Sequence, residues 1–256
     1  MPIVALATDF GEGLYVGQMK AVILSRAPRV RIVDLFHSVS PQCVLEGAFL
    51  LSQAWMFFPA GTIFVSVVDP GVGSDRRILA VRAHRRTFLA PDNGLLSFIP
   101  DSGMEDKRVV QNRKFFLEHV SNTFHGRDIF SPVAAALASG TALEKLGRPA
   151  GRIERLSGFQ PRRIRGGMEG TIVHIDRFGN AITNLPAGPR AGCLKIGRTR
   201  FRSFVRTYAD APAGRPVFLR GSFGTWEIAV RNGSAASRLD LRVGMRVRQE
   251  AAWPTI

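Results

Sequence analysis

The stretch that decides the fold is TIFVSVVDPGVG, residues 62–73. Its first seven residues, Thr62–Val68, are almost wholly apolar, as is typical of a strand that is covered on both faces of a sheet. Asp69 follows directly and opens a glycine-rich turn. In open α/β sheets, ligands bind where the carboxyl ends of the strands meet. The stretch therefore predicts a buried parallel strand with a polar site at its end.

Strands and helices alternate around this stretch in the first half of the chain. Short apolar runs precede segments of helical composition, and the last of these segments ends at Gly140. This order predicts a largely parallel sheet between helices, in an α/β domain of residues 1–155. The predicted strands are Pro2–Ala7, Val30–Leu35, Thr62–Val68, Ile78–Arg82 and Thr87–Ala90, and the predicted helices are Leu14–Ala27, Cys43–Phe58 and Ile129–Ala138.

The composition changes in the second half. Residues 147–167 are rich in Gly, Pro and Arg, which predicts a basic linker. Residues 165–256 then contain short strands separated by Gly, Pro, Asp and Asn, and such a pattern favours a small all-β barrel or sandwich. The predicted strands are Gly170–Ile175, Leu194–Ile196, Thr199–Val205, Val217–Leu219, Trp226–Val230 and Met245–Gln249.

Composition narrows the class of protein. Hydrophobic residues make up 45% of the 256, so the chain can build a full core and is not disordered. The net charge of +15 prompts a search for anionic partners. The basic residues are scattered, however, and no helix-turn-helix, zinc-finger or RNA-binding motif is present. A solvated basic surface is the favoured interpretation, and a non-catalytic nucleotide or nucleic-acid binder remains an alternative.

Cysteine usage and hydropathy bear on location. Cys43 and Cys193 lack a CxxC partner, so we expect free thiols in a reducing cytoplasm. The N-terminus lacks the basic start of a signal peptide. The longest uncharged run, Gly47 to Val68, is broken by Pro59 and Gly61, which argues against a membrane span.

Polar clusters interrupt the apolar pattern at the ends of strands and carry the candidate chemistry. The sequence alone supports two interpretations of Asp9, Asp69 and His125: a catalytic constellation, or ordinary turn residues and a structural histidine. Asp128 could be the N-cap of the following helix. No P-loop or nucleophile elbow is present. The remaining histidines show no metal-ligand spacing, so no metal is expected.

Taken in order, the motifs resemble those of the S-adenosyl-L-methionine hydroxide adenosyltransferases, relatives of the adenosyl fluorinases and chlorinases. The resemblance extends nearly end to end. It implies an N-terminal α/β domain, a C-terminal β-barrel, and a homotrimer whose sites lie between one subunit's N-domain and its neighbour's C-domain. The motifs are TDFG (8–11), YVGQMK (15–20), VVDPGVG (67–73), APDNGLL (90–96), TFHGRDIF (123–130), FGNAITN (178–184) and SFG (222–224).

The activity implied by the resemblance is hydrolysis of S-adenosyl-L-methionine to adenosine and methionine, without a cofactor. By this resemblance Asp9 binds the ribose hydroxyls and Asn180 binds the edge of the adenine. The other implied substrate contacts are Phe178 and Tyr208 on the adenine faces, Asp176 on the methionine ammonium, Ser222 on its carboxylate, and Phe223 in the same motif as Ser222.

The nucleophile separates the branches of this superfamily. Where a fluorinase carries a Tyr this chain has Asp69, whose negative charge would repel a halide. Where a fluorinase has a halide-contacting Ser, this chain has Gly126. The hydrolysing branch resembles the chain in having Asp69, Arg76 and His125 together, and these are the implied catalytic residues. The sequence leaves open whether Asp69 or His125 accepts the proton of water, and a chlorinase-like halogenase is the alternative activity.

Overall fold

The apolar run at residues 62–68 forms the strand β3 (Ile63–Val67), in which every residue is buried. The computed structural model of the protein describes residues 1–188 and 192–250. The chain divides into two units, Met1–Leu156 and Ser157–Ile256.

The first unit is a mixed sheet of six strands in the order β2-β1-β3-β5-β4-β6. Its first four strands in that order are parallel, as predicted, whereas β4 runs antiparallel to both of its neighbours. The sheet is therefore only partly the parallel arrangement that we expected. The strands are β1 (Ile3–Thr8), β2 (Arg31–Phe36), β3 (Ile63–Val67), β4 (Ile78–Ala83), β5 (Arg86–Pro91) and β6 (Met104–Val109).

The reversal at β4 has a local cause. His84 and Arg85 both have positive φ, 50° and 60°, and form a two-residue turn between β4 and β5. A turn of this length joins antiparallel neighbours. The antiparallel pairing of β4 with β5 was not predicted, because the turn lacks the Asn-Gly pair that is usual in such hairpins. The edge strand β6 was also missed, since its sequence MEDKRV is mostly charged.

Helices cover the sheet of the first unit. One apolar cluster joins Met19 and Ile23 of α1 to Val133 of α3, against Leu6 and Val65 of the sheet. A π-helical turn at Gly126–Phe130 leads directly into α3. The helices are α1 (Leu14–Arg26), α2 (Val44–Ala54) and α3 (Ser131–Ala138), and short 3₁₀ turns cover Trp55–Phe57, Asp101–Gly103, Arg113–Phe115 and Leu143–Leu146.

The second unit is an antiparallel, nearly closed, barrel-like sheet in the order β11-β10-β14-β8-β9-β13-β12, with β7 paired to β8. Its core includes Trp226 and Phe218, with ring centroids 5.4 Å apart. The strands are β7 (Arg162–Ile164), β8 (Gly167–Ile175), β9 (Ala181–Pro186), β10 (Cys193–Ile196), β11 (Thr199–Phe201), β12 (Pro216–Arg220), β13 (Thr225–Val230) and β14 (Arg246–Glu250), with a 3₁₀ turn at Tyr208–Asp210 and a short helix α4 (Ala235–Leu239).

Three details of the second unit differ from the sequence prediction. The predicted strand Thr199–Val205 ends at Phe201. Strand β7 lies inside the segment that was predicted as a linker, and β9 begins inside a motif that was treated only as a candidate site. The predicted barrel segment 165–256 also includes residues 189–191 and 251–256, which lie outside the described residues. Among the described residues, no helix is long and apolar enough to cross a membrane.

Candidate active site

The centre of the site in the first unit is an ion pair between Asp69 and Arg76. Asp69 lies two residues after β3, and the turn that follows carries Arg76 back to it. Arg76 Nε donates to Asp69 Oδ1 and Oδ2 at 3.0 and 2.8 Å, and Nη2 donates to Oδ2 at 2.5 Å. The Asp69 side chain is 4% exposed and that of Arg76 11%. The planar guanidinium of Arg76 thus fixes the Asp69 carboxylate by hydrogen bonds from two of its nitrogens.

His125 joins this pair through the same guanidinium. Arg76 Nη2 lies 2.7 Å from His125 Nδ1. A guanidinium only donates hydrogen bonds, so Nδ1 is the acceptor and the neutral ring carries its proton on Nε2. Burial and the positive charge of Arg76 lower the pKa of His125, and Asp69 and Asp128 oppose that shift. A neutral His125 therefore offers a donor to a water molecule, whereas Asp69 offers acceptor oxygens.

A close backbone contact brings His125 to Arg76. Gly73 has φ +80°, and a Cβ on it would lie 2.4 Å from the backbone oxygen of Asn122. A residue with a side chain would push the Asp69 turn away from the segment that leads to His125. That segment ends in the π-helical turn Gly126–Phe130, a conformation that often occurs at functional sites.

Asp128 has a different role from the one considered in the sequence. The interpretation of Asp128 as an N-cap is wrong, because Phe130 holds the capping position of α3 and Asp128 lies within the π-helical turn. Its fully buried carboxylate accepts hydrogen bonds from the Ser121 N–H at 2.8 Å and from Arg127 Nε at 2.6 Å. Asp128 thus fixes the conformation of the loop that carries His125.

Asp9 leaves the sheet at the same edge as Asp69. Strands β1 and β3 are parallel neighbours with Thr8 opposite Val67, and each aspartate follows the end of its strand. Asp9 Oδ2 accepts a hydrogen bond from the Gln42 N–H at 2.7 Å. The other carboxylate oxygen, Oδ1, is a candidate acceptor for a ligand hydroxyl.

A chain of polar side chains behind Asp9 was missed in the sequence. Lys20 Nζ lies 2.6 Å from Asp34 Oδ2, Asp34 Oδ1 lies 2.9 Å from His37 Nε2, and His37 Nδ1 lies 2.8 Å from the buried Thr8 hydroxyl. This series of polar contacts connects α1, β2 and Thr8, the residue next to Asp9. His37 had been set aside because it lacks metal-ligand spacing, and its contact with Thr8 spans 29 residues, so no local motif reveals it.

Gly126 leaves little room beside His125. A Cβ at this position would lie 3.0 Å from a Phe124 ring carbon, 3.2 Å from Met19 Sδ and 3.2 Å from a Phe10 ring carbon. Phe10 and Phe124 pack edge to face with centroids 5.6 Å apart. A serine at residue 126 would therefore displace an aromatic ring before it reached a ligand.

In the second unit, Asp176 organises the loop between β8 and β9. Its Oδ1 accepts from the Phe178 and Asn180 N–H groups at 2.9 and 2.8 Å, and its Oδ2 accepts from Asn180 Nδ2 at 3.0 Å. A carboxylate has about four acceptor positions. Asp176 therefore orients Asn180 and keeps about one position for a ligand.

This loop borders a cavity of about 650 Å³ within the second unit. Of the six substrate-binding residues predicted in this unit, four line the cavity and two do not. Phe178 stands at the rim with 78% of its surface exposed. Ser222 and Phe223 lie in the neighbouring turn between β12 and β13, outside the cavity lining. The four predicted residues in the lining are Asp176, Phe178, Asn180 and Tyr208.

In residues 1–188 and 192–250, no group of three or more His, Cys, Asp or Glu side chains could hold a metal ion. Cys43 and Cys193 are free thiols.

Comparisons with known families cover both units. Residues 4–147 match the model of the SAM hydroxide adenosyltransferase N-terminal domain, and residues 170–248 match that of the C-terminal domain.

Individual relatives match over nearly the whole chain. An "(R)-S-adenosyl-L-methionine hydrolase" of Thermus thermophilus is 40% identical over 94% of this chain and 96% of its own length. A "Fluorinase" of an Actinoplanes species is 30% identical over 96% of both chains. A crystal structure of an uncharacterized conserved protein from Thermotoga maritima superposes with a TM-score of 0.87 at 33% identity, over 97% of this chain and all of the other.

The contact between Arg76 and His125 predicts a low pKa for the imidazole. An NMR titration of the ring protons should place the pKa of His125 below its usual value of 6.5. In Arg76→Leu it should rise, because the positive charge is lost and Asp69 is left to stabilise the imidazolium. Arg29→Leu, at an exposed position between α1 and β2, is the control and should shift nothing. A wild-type pKa at or above 6.5 would contradict the assigned contact.

Proposed function

Because this chain belongs to the SAM hydroxide adenosyltransferase family, we propose that it hydrolyses S-adenosyl-L-methionine to adenosine and L-methionine. The observation that carries the proposal is the Arg76 bridge, which places a buried carboxylate and a neutral imidazole around one guanidinium. Such a trio can hold a water molecule from two sides, through an acceptor and a donor.

The chemistry needs a positioned water and little else. An oxygen lone pair of water attacks C5′, the C5′–sulfur bond breaks, and its electron pair stays on sulfur. Methionine leaves as a neutral thioether, so no general acid is required, and no metal or cofactor has a step to perform. The water loses a proton to an acceptor in the site. Positioning contributes several kcal/mol to such a reaction, and a general base about 10²–10⁴-fold in rate.

The catalytic roles follow from the hydrogen bonds. Asp69 is the proposed proton acceptor. In His125, Nδ1 already accepts a hydrogen bond from Arg76 and Nε2 carries the ring proton, so the carboxylate oxygens of Asp69 are the acceptors that the trio offers to water. His125 orients the water by donating from Nε2, since Nδ1 already accepts from Arg76. Arg76 holds both groups and keeps its positive charge at any working pH. Of the two acceptors that the sequence left open, Asp69 and His125, the proposal takes Asp69.

The substrate contacts are proposed as the resemblance implies. Asp9 binds the ribose hydroxyls, and the residues of the second unit bind the two ends of the substrate. The contacts in that unit are Phe178 and Tyr208 for the adenine faces, Asn180 for the adenine edge, Asp176 for the ammonium, Ser222 for the carboxylate, and Phe223 beside Ser222.

The proposed assembly is a homotrimer in the cytoplasm. The water-holding trio lies in the first unit of the chain and the adenine contacts in the second, and in the proposal each active site combines the first unit of one subunit with the second unit of its neighbour. Free thiols at Cys43 and Cys193 suit a reducing compartment.

Two other functions are less well supported. A halogenase is suggested by the fluorinase relatives, but they are more distant than the hydrolases. The negative charge of Asp69 would also repel a halide, and Gly126 has no space for a serine without movement of Phe10 or Phe124. A nucleic-acid binder is suggested only by the charge of +15, and loss of oligonucleotide binding on raising salt would be its signature.

Product chromatography tests the activity. The protein should convert S-adenosyl-L-methionine to adenosine and methionine in equal amounts, and treatment with a chelator should not change the rate. The relatives' name specifies the (R) form, so the two epimers at the sulfonium are assayed separately. Formation of 5′-halo-adenosine in chloride, bromide or fluoride would support the halogenase. Absence of turnover with either epimer would contradict the proposal.

The division of roles predicts two kinds of variant. Asp69→Asn and His125→Ala should each lower kcat by about 10²-fold, because their groups act on the water. Asn180→Ala should instead raise KM by about tenfold through the loss of one hydrogen bond to the adenine. Asp75→Asn, an exposed acid in the same turn as Asp69, is the matched control and should leave both constants unchanged. Wild-type kcat in both trio variants would exclude them from the chemistry.

Shared sites predict complementation between subunits that are defective in different units. Asp69→Asn and Asn180→Ala chains, carrying different tags and expressed together, should form mixed trimers in which some sites combine two intact halves. Random assembly gives such sites at about a quarter of positions, so activity at low substrate should recover to roughly that fraction. At low substrate, Asn180→Ala alone should keep about a tenth of the wild-type activity and Asp69→Asn alone about a hundredth. No recovery in purified mixed trimers, or a fully active monomer by light scattering, would contradict shared sites.

A further inference from the structure

Glu227 is a buried acid beside the cavity of the second unit, and the sequence motifs did not include it. It lies in the middle of β13, is 4% exposed, and faces Ile182 of β9 and Leu219 of β12 in the sheet register. Its Oε1 accepts a hydrogen bond from the Tyr208 hydroxyl. Within the described residues, this is the one hydrogen bond that the carboxylate receives. A buried carboxylate with so little support needs a reason to be there.

The position of Glu227 supplies a reason, because three proposed substrate contacts surround it. Tyr208, which lines the cavity, bonds to one carboxylate oxygen. The other oxygen, Oε2, lies close to Gly221, the residue directly before Ser222: a Cβ on Gly221 would lie 2.7 Å from Oε2. Asp176 is close enough to raise the pKa of Glu227 by its negative charge. Glu227 thus lies among the groups assigned to the adenine, the methionine carboxylate and the ammonium.

The charges of this region are unbalanced without a ligand. Burial and then the negative charge of Asp176 raise the pKa of Glu227, and the Tyr208 hydrogen bond partly offsets them. The same carboxylate and burial raise the pKa of Tyr208. Arg231, which also lines the cavity, donates to the backbone oxygens of Ala209 and Ala211. Among the described residues, no cationic side chain pairs with Glu227 or Asp176, so a bound cation would relieve the repulsion between them.

We propose that Glu227 is a positioning and specificity-determining residue of the substrate cavity, which fixes the Tyr208 ring and adds a second negative charge behind Asp176 for the cationic methionyl end of the substrate. Glu227 acts on the adenine through Tyr208 and on the ammonium through space. The titratable groups that face it are Tyr208, from the 3₁₀ turn, and Asp176, from the β8–β9 loop. This inference rests on the proposed function for the identity of the substrate.

The two roles can be separated by the choice of variant. In Glu227→Gln the side-chain oxygen still accepts from the Tyr208 hydroxyl, but the negative charge is gone. In Glu227→Ala both the acceptor and the charge are lost. Glu169→Gln is the matched control: Glu169 is a buried acid of β8 in the same sheet, but it is paired with Arg162 and Arg248.

Three ligands distinguish the effect of the Glu227 charge from the effect of the contact between the Tyr208 ring and adenine. Adenosine has no cation, S-adenosyl-L-homocysteine has the ammonium, and S-adenosyl-L-methionine has the ammonium and the sulfonium. Affinities of the first two are measured by calorimetry on the full-length protein, and KM and kcat with the third. Because calorimetry needs no turnover, failure of the proposed hydrolysis is recognised in the wild type and does not interfere with the test of Glu227.

Glu227→Gln should weaken S-adenosyl-L-homocysteine binding about tenfold and raise KM to a similar extent, because one nearby opposite charge changes such equilibria by a factor of ten or more. Adenosine affinity and kcat should change less than about twofold, since neither depends on that charge. Glu227→Ala should weaken adenosine as well, by about fivefold, as expected for loss of one hydrogen bond that holds Tyr208.

A residue with only a structural role would give a different pattern. Equal weakening of all three ligands in Glu227→Gln, or the same pattern in Glu169→Gln, would overturn the proposal. Unchanged affinities in a folded Glu227→Ala would overturn it as well. Thermal unfolding of each variant identifies loss of fold, and if Glu227→Ala does not fold, Glu227→Gln alone decides through its ratio of S-adenosyl-L-homocysteine to adenosine affinity.

Discussion

The hydrogen bonds of the Arg76 guanidinium are the interaction on which the first unit's site depends. One planar group binds Asp69 from its own turn and His125 from a segment 49 residues away. Because arginine never loses its charge in a protein, neither contact depends on pH through Arg76 itself. The guanidinium also decides which nitrogen of His125 can carry a proton. A lysine would supply the charge but not the two-sided geometry.

The sheet determines what else lies near this interaction. Parallel neighbours β1 and β3 end at the same edge, so Asp9 and Asp69 emerge together even though 60 residues of chain separate them. The tight packing of Gly73 on Asn122 then brings in the loop of His125. Asp128 and Ser121 fix that loop from within. The site therefore combines two strand ends, which strand pairing brings together, with one loop that backbone packing and a buried carboxylate hold in place.

Much of this arrangement could be predicted from local sequence, and the remainder depends on contacts that leave no local trace. Apolar runs located β1, β2 and β3 to within a residue or two. Burial on both faces demands such runs in β1 and β3, whereas the edge strand β2 is only partly buried. The charged edge strand β6 and the hairpin turn at His84 and Arg85 lacked the usual signals. Family resemblance led to the motif residues but not to Glu227, which lies beyond the last motif (222–224) and is defined by its hydrogen bond from Tyr208, 19 residues earlier in the chain.

The distribution of charge fits the proposed reaction at both ends of the substrate. The sulfonium loses its positive charge as C5′ is attacked, so a carboxylate close to sulfur would stabilise the ground state more than the transition state and would slow the reaction. The ammonium keeps its charge throughout, and acids beside it strengthen binding without that penalty. In the proposal, Asp176 and Glu227 lie near the methionyl contacts and not with the trio that holds the water, which agrees with this rule. On the side of C5′ opposite to sulfur, the oxygen of water gains positive charge as it attacks. In the proposed reaction, Asp69 is the group of the trio whose negative charge can stabilise that positive charge.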